Sequence, residues 1–104
     1  MGKAETALTN KIRGHVESVF PVSLTYKYHG SGFGVSGVPD FVFLWRGRAI
    51  FIEVKVPGEK PTPKQVYEMG RINATGVRAT WVCSPDEAVS EINRIMKEYG
   101  DDCG

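Results

Sequence analysis

A chain of 104 residues, 41% of them apolar and 24% charged, has room for one compact domain spanning residues 1–104, and that balance excludes a disordered or fibrous protein. Its longest apolar runs, such as Ala49–Ile52, fall far short of the ~18 residues that cross a bilayer, and Lys3 and Glu5 do not suit a signal sequence, so a cytoplasmic protein without membrane association is expected. The net charge of +1 hides an asymmetry: residues 1–82 hold eleven Lys/Arg against six Asp/Glu, and residues 83–104 hold two against six, so any polyanionic partner would face the body rather than the tail.

Taken in chain order, Ala4–Val19 has a helical period, with Leu8, Ile12, Val16 and Val19 recurring at steps of four and three, and Phe20-Pro21 ends it. Ser23–Tyr28 alternates Leu24, Tyr26 and Tyr28 with Thr25 and Lys27, the pattern of a half-buried strand with its apolar side inward. A glycine-rich connector, His29–Val38, follows. Phe41–Trp45 and Ala49–Val56 are rich in β-branched and aromatic residues, and Arg46-Gly47 between them makes a hairpin turn. Thr62-Pro63-Lys64-Gln65 has the form of a capping box with proline at the first helical position, announcing a helix from Pro63 to Ala74 that Gly76 stops. Arg78–Cys83 is a short strand. Ser84-Pro85-Asp86-Glu87 is a second capping box, opening a helix with Ala88, Ile92, Ile95, Met96 and Tyr99 on its apolar face. The order αβββαβα implies an α/β fold, a mixed β-sheet flanked by helices, because the last strand returns through a helical crossover. Cys83 and Cys103 lack metal-type spacing and read as free thiols.

The chemistry is concentrated in Ile50-Phe51-Ile52-Glu53-Val54-Lys55-Val56. Strand side chains alternate, so Glu53 and Lys55 share one face while Ile50, Ile52, Val54 and Val56 share the other and enter the core. A carboxylate and an ammonium so placed are costly unless used or paired. A two-residue loop at Arg46-Gly47 fixes the hairpin register and sets Asp40 opposite Glu53, with Cβ atoms about 5 Å apart. Two carboxylates that close repel unless a cation lies between them, and an oxygen-only ligand set favours a hard divalent ion, Mg2+ or Mn2+. A magnesium-type ion with Lys55 beside it is equipment for phosphodiester hydrolysis, in which the ammonium orients water or neutralises charge developing on the phosphate. The ordinary reading of these three residues, a surface ion pair on a solvated sheet, requires three coincidental placements.

Pro39-Asp40 followed by Glu53-Val54-Lys55 on the next strand resembles the signature of the PD-(D/E)XK nucleases. The likeness extends from Gly34 to about Ile95, through Gly37-Val38-Pro39-Asp40-Phe41-Val42, Phe51–Lys55, Thr62–Gln65, Gly76 and Ser84–Ala88. In that extent it resembles the VRR-NUC branch, which includes small bacteriophage and bacterial proteins. The resemblance implies a restriction-endonuclease-like core and a metal-dependent DNA endonuclease in which Asp40, Glu53, Lys55 and Gln65 are catalytic. It further implies that Asp40, Glu53 and the backbone carbonyl of Val54 hold the metal, with Glu5 as an added ligand. Glu5 lies on the apolar face one helical step before Leu8, where it is either that ligand or a first-turn acid favoured by the helix dipole. Gln65 is either an active-site residue or the capping partner of Thr62.

Lys60, Lys64, Arg71 and His29 are candidate DNA contacts, against the plainer reading of solvated side chains. The small size is similar to that of Holliday-junction resolvases, which implies a homodimer acting on branched DNA in replication, recombination or repair. A sequence-specific restriction-type enzyme would need recognition elements that 104 residues hardly accommodate. An inactive nucleic-acid-binding module would have no use for the opposed carboxylates.

Overall fold

A computed structural model describes residues 2–27 and 36–100. The elements are α1 (Lys3–Val19), β1 (Leu24–Lys27), β2 (Phe41–Trp45), β3 (Arg48–Val54), α2 (Pro63–Ala74), β4 (Arg78–Val82) and α3 (Pro85–Glu98). They follow the expected αβββαβα order. The sheet runs β1-β2-β3-β4, antiparallel except for the parallel pair β3 and β4.

The alternation in β3 decides the architecture. Ile50, Ile52 and Val54 join Phe41, Phe43 and Val82 on one sheet face, where Ile12 and Val16 of α1 and Ala88, Ile92, Ile95 and Met96 of α3 close over them. Each fully buried aliphatic side chain of this cluster contributes about 1.5–3 kcal/mol relative to exposure. Met69, the apolar residue that α2 buries, lies outside that cluster. Gln65 of α2 instead bonds to Glu53, so α2 covers the opposite face.

The β2–β3 register is the expected one, with Trp45 opposite Arg48 and Phe41 opposite Ile52. The turn residues Arg46 and Gly47 both take positive φ, 51° and 75°, as a two-residue type I′ hairpin requires. Continued one residue beyond Phe41, this register brings Asp40 and Glu53 face to face.

Two expectations are corrected. In β1 the apolar side faces outward: Leu24 and Tyr26 are exposed and Thr25 is buried. The reason is a hydrogen-bonded clamp from α1, in which Glu17 Oε2 accepts from the Thr25 amide and hydroxyl while Arg13 Nε donates to Thr25 Oγ1. At α3, Ser84 Oγ accepts from the Glu87 amide, but Glu87 Oε1 accepts from Cys83 N rather than from Ser84 N. The return half of the second capping box therefore reaches one residue further back. Tyr28, His29, Gly30, Gly32, Phe33, Gly34, Val35 and Cys103 lie outside the described residues.

Candidate active site

Three elements deliver the site. The register of β2 and β3 presents Asp40 and Glu53, and the first turn of α1 brings Glu5. One carboxylate oxygen from each of Glu5, Asp40 and Glu53 lies within 4.8 Å of the other two. Asp40 is fixed from behind, where its Oδ2 accepts from the Val54 amide at 2.7 Å. Lys55 Nζ stands 3.6 Å from Glu53 Oε2 and 4.0 Å from Glu5 Oε2.

Glu53 and Lys55 are more deeply placed than a sheet-surface pair, with Glu53 only 2% exposed. The covering comes from elements distant in sequence, α1 on one side and the start of α2 on the other. Burial first, and the negative charge of Asp40 second, push the Glu53 carboxyl up to about 8, although Lys55 pulls the other way. Glu5 is likewise raised, by burial and then by Asp40. Glu53 Oε1 is buried and has no hydrogen-bond partner among the described residues. Buried carboxylate oxygens are normally satisfied, and an unpaired one at the convergence of three acids fits a cation as its partner. Three carboxylates and one ammonium carry two net negative charges when ionised, which a divalent cation balances.

Gln65 caps α2 and also touches the buried carboxylate. Its Oε1 accepts from Thr62 N and its backbone amide donates to Thr62 Oγ1, completing the capping box of α2. Its Nε2 donates to Glu53 Oε2 at 3.0 Å. One amide group thus ties the start of α2 to the buried carboxylate. Gly37, in the approach to Asp40, has φ +87°, and a Cβ there would meet the backbone oxygen of Lys64 at 2.8 Å. Only glycine lets this segment lie against α2.

Glu5, Asp40, Glu53, Lys55 and Gln65 are therefore brought together, and the Val54 amide joins them through Asp40. Lys60 is exposed before α2. Lys64 and Arg71 both pair with the buried Glu68, at 3.8 and 3.2 Å. Sequence reasoning passed over Glu68, although its spacing from Lys64 and Arg71 is that of helical ion pairs. His29 lies outside the described residues.

No protein-family model matches the sequence. A protein of Acyrthosiphon pisum secondary endosymbiont phage 1, named "Putative nuclease p44", is 44% identical over 64 residues, which make up 61% of this chain and 67% of that protein. A solved structure described as a VRR_NUC domain superposes with a TM-score of 0.71 at 29% identity, covering 88% of this chain and 97% of its own. A second, described as a VRR_NUC domain protein, has the same TM-score at 18% identity and covers 93% and 91%, which is a likeness of fold.

Proposed function

The chain belongs to the VRR-NUC family of nucleases, and on that premise we propose that it is a divalent-metal-dependent endonuclease that hydrolyses DNA phosphodiester bonds at branched structures. The observation that carries this reading is the buried carboxylate cluster with its orphaned Glu53 oxygen beside Lys55. Asp40, Glu53 and Glu5 would hold the cation, with the Val54 carbonyl as a further ligand. When bound, Mg2+ or Mn2+ supplies a Lewis acid for the phosphate and makes a water acidic near neutral pH.

The chain's own residues do the remaining work. Gln65 Nε2 keeps Glu53 Oε2 pointed into the cluster, and the Val54 amide does the same for Asp40 Oδ2. Lys55 Nζ donates to a phosphate oxygen and stabilises the negative charge that grows there as the bond breaks. Burial of Glu53 and Lys55 keeps bulk water from screening these interactions. Lys60, Lys64 and Arg71 hold the DNA backbone. A symmetric homodimer would present two such sites to the two strands of a junction.

The test is incubation with linear duplex, single strand, flap and four-way junction DNA, with Mg2+, with Mn2+ and with chelator. Cleavage of the branched substrates with either ion, and none with chelator, is expected. Undiminished cutting by chelated protein would refute the metal reading, and a preference for linear duplex would refute the branched-DNA reading.

A further inference from the structure

We propose that Trp81 is a stacking platform for an unpaired nucleobase beside the scissile phosphodiester, a role that rests on the nuclease reading above. In the parallel pairing of β3 with β4, Glu53 is the register partner of Trp81. Paired residues on neighbouring strands point to the same face, about 4.8 Å apart. The indole is therefore the immediate lateral neighbour of the buried carboxylate, on the edge strand of the sheet.

The two tryptophans of the chain differ in a telling way. Trp45 is engaged on every side: its Nε1 donates to the Pro21 carbonyl, its ring packs against Phe20, and Arg46 lies 4.2 Å above it. Trp81 is 37% exposed and makes no hydrogen bond, ion pair or ring contact with a described residue. A large indole held on a strand, with more than a third of its surface open to solvent and its N–H without a partner among the described residues, is an adhesive surface, and a base is the flat partner that a nuclease brings to this place.

The surroundings fit a nucleotide in particular. On α2, Lys64 lies 5.4 Å from the Tyr67 ring and Arg71 lies 6.0 Å from it, and Tyr67 is itself exposed. Lys64 and Arg71, each shared with Glu68, supply cationic side chains for the phosphates on α2, and the indole of β4 supplies a face for the base, the division of labour seen in single-strand binding grooves. A fully paired duplex hides its base faces within the stack. The platform accordingly selects DNA whose bases are already free, at a flap, a single strand or a branch point.

The experiment uses intrinsic fluorescence of the full chain in chelator, titrated with oligothymidylate or with a blunt duplex. Single strand should quench emission strongly and duplex weakly, and the quenching should vanish in Trp81→Phe, where Trp45 remains as the internal control. In cleavage with Mg2+, Trp81→Ala should raise KM on a flap substrate about tenfold with kcat within about twofold, and Trp81→Phe should recover most of the loss. A melting curve for each variant confirms folding. Cleavage of the flap without Trp81-dependent quenching would overturn the platform while leaving the nuclease reading intact. Quenching without cleavage of any substrate would do the reverse. An emission shift that depends on protein concentration and not on DNA would assign the indole to a second copy of the chain and also overturn the proposal.

Discussion

Glu53 carries a conflict that the metal-free protein must bear. Its carboxyl is raised from 4.5 to about 8, so between those pH values the folded chain keeps a proton that the unfolded chain has lost. The contribution of Glu53 to the stability of the chelated protein is then full below about pH 4.5, falls as pH rises through this window, and levels off above about pH 8. Glu53→Gln removes the titration while its amide oxygen can still accept from Gln65. Thermal melts in chelator should show the Tm of wild type falling between pH 5 and 8 and that of the variant falling much less, each kcal/mol lost appearing as about 4–8 °C for a domain of this size. Added Mg2+ should restore wild type at pH 8 and leave the variant unmoved. Parallel curves for the two proteins would show that Glu53 is ionised at little cost. Lys55→Ala separates binding from chemistry. The ammonium faces two carboxylates at 3.6 and 4.0 Å, so its loss leaves the cluster more negative. Calorimetry should find Mg2+ bound at least as tightly, while single-turnover cleavage falls by about two to three orders of magnitude. Loss of metal binding would give Lys55 a structural role instead.

The elements explain which of these features the sequence made legible. Alternation in β3 and the Arg46-Gly47 turn fix a register, and a register is local information, so the meeting of Asp40 with Glu53 follows from the chain between them. The burial of Glu53 does not, because α1 and α2 supply the cover from far away in sequence. Alternation misled in β1 because the inward side was chosen by hydrogen bonds: Thr25, clamped by Arg13 and Glu17, displaced Leu24 and Tyr26 to solvent. The turn feeding β1 retains a visible strain. Val22 has φ 65° and is 97% exposed, a left-handed conformation that disfavours a β-branched residue by about 1–2 kcal/mol and suits asparagine. Val22→Asn should raise the urea midpoint by an amount worth about 1 kcal/mol without changing the m-value. An unchanged midpoint would mean that the turn holds no strain. At α2, Thr62→Ala deletes only the cap and should cost about 1 kcal/mol. Gln65→Ala deletes the cap partner and also the donor to Glu53, so it alone should weaken Mg2+ binding in calorimetry. Equal affinities in the two variants would reduce Gln65 to a capping residue.

At the scale of the whole molecule, the proposed action on branched DNA raises the question of how one small fold would make two cuts. The described residues contain a single cluster of three acids able to hold an ion, and one such site breaks one strand. Matched nicks made in one encounter with a junction would therefore call for two chains, and a closed two-fold dimer is the commonest arrangement for a small protein to present equivalent sites. Nothing in the hairpin register or the capping boxes encodes this, since self-association depends on surface shape rather than local pattern. The exposed Val22, Leu24 and Tyr26 leave apolar surface at the β1 edge of the sheet, where a partner would gain by covering it. Mixing wild type with Lys55→Ala at equal amounts, after subunits have exchanged, tests the counting directly. If paired cutting is the work of a dimer, the rate of concerted linearisation of a cruciform plasmid should fall to about one quarter, with singly nicked circles accumulating. Independent monomers would lower the rate of nicking to about half and show no excess of nicked product. Light scattering at micromolar protein completes the test: a strict monomer that still made symmetric paired nicks would refute the dimer.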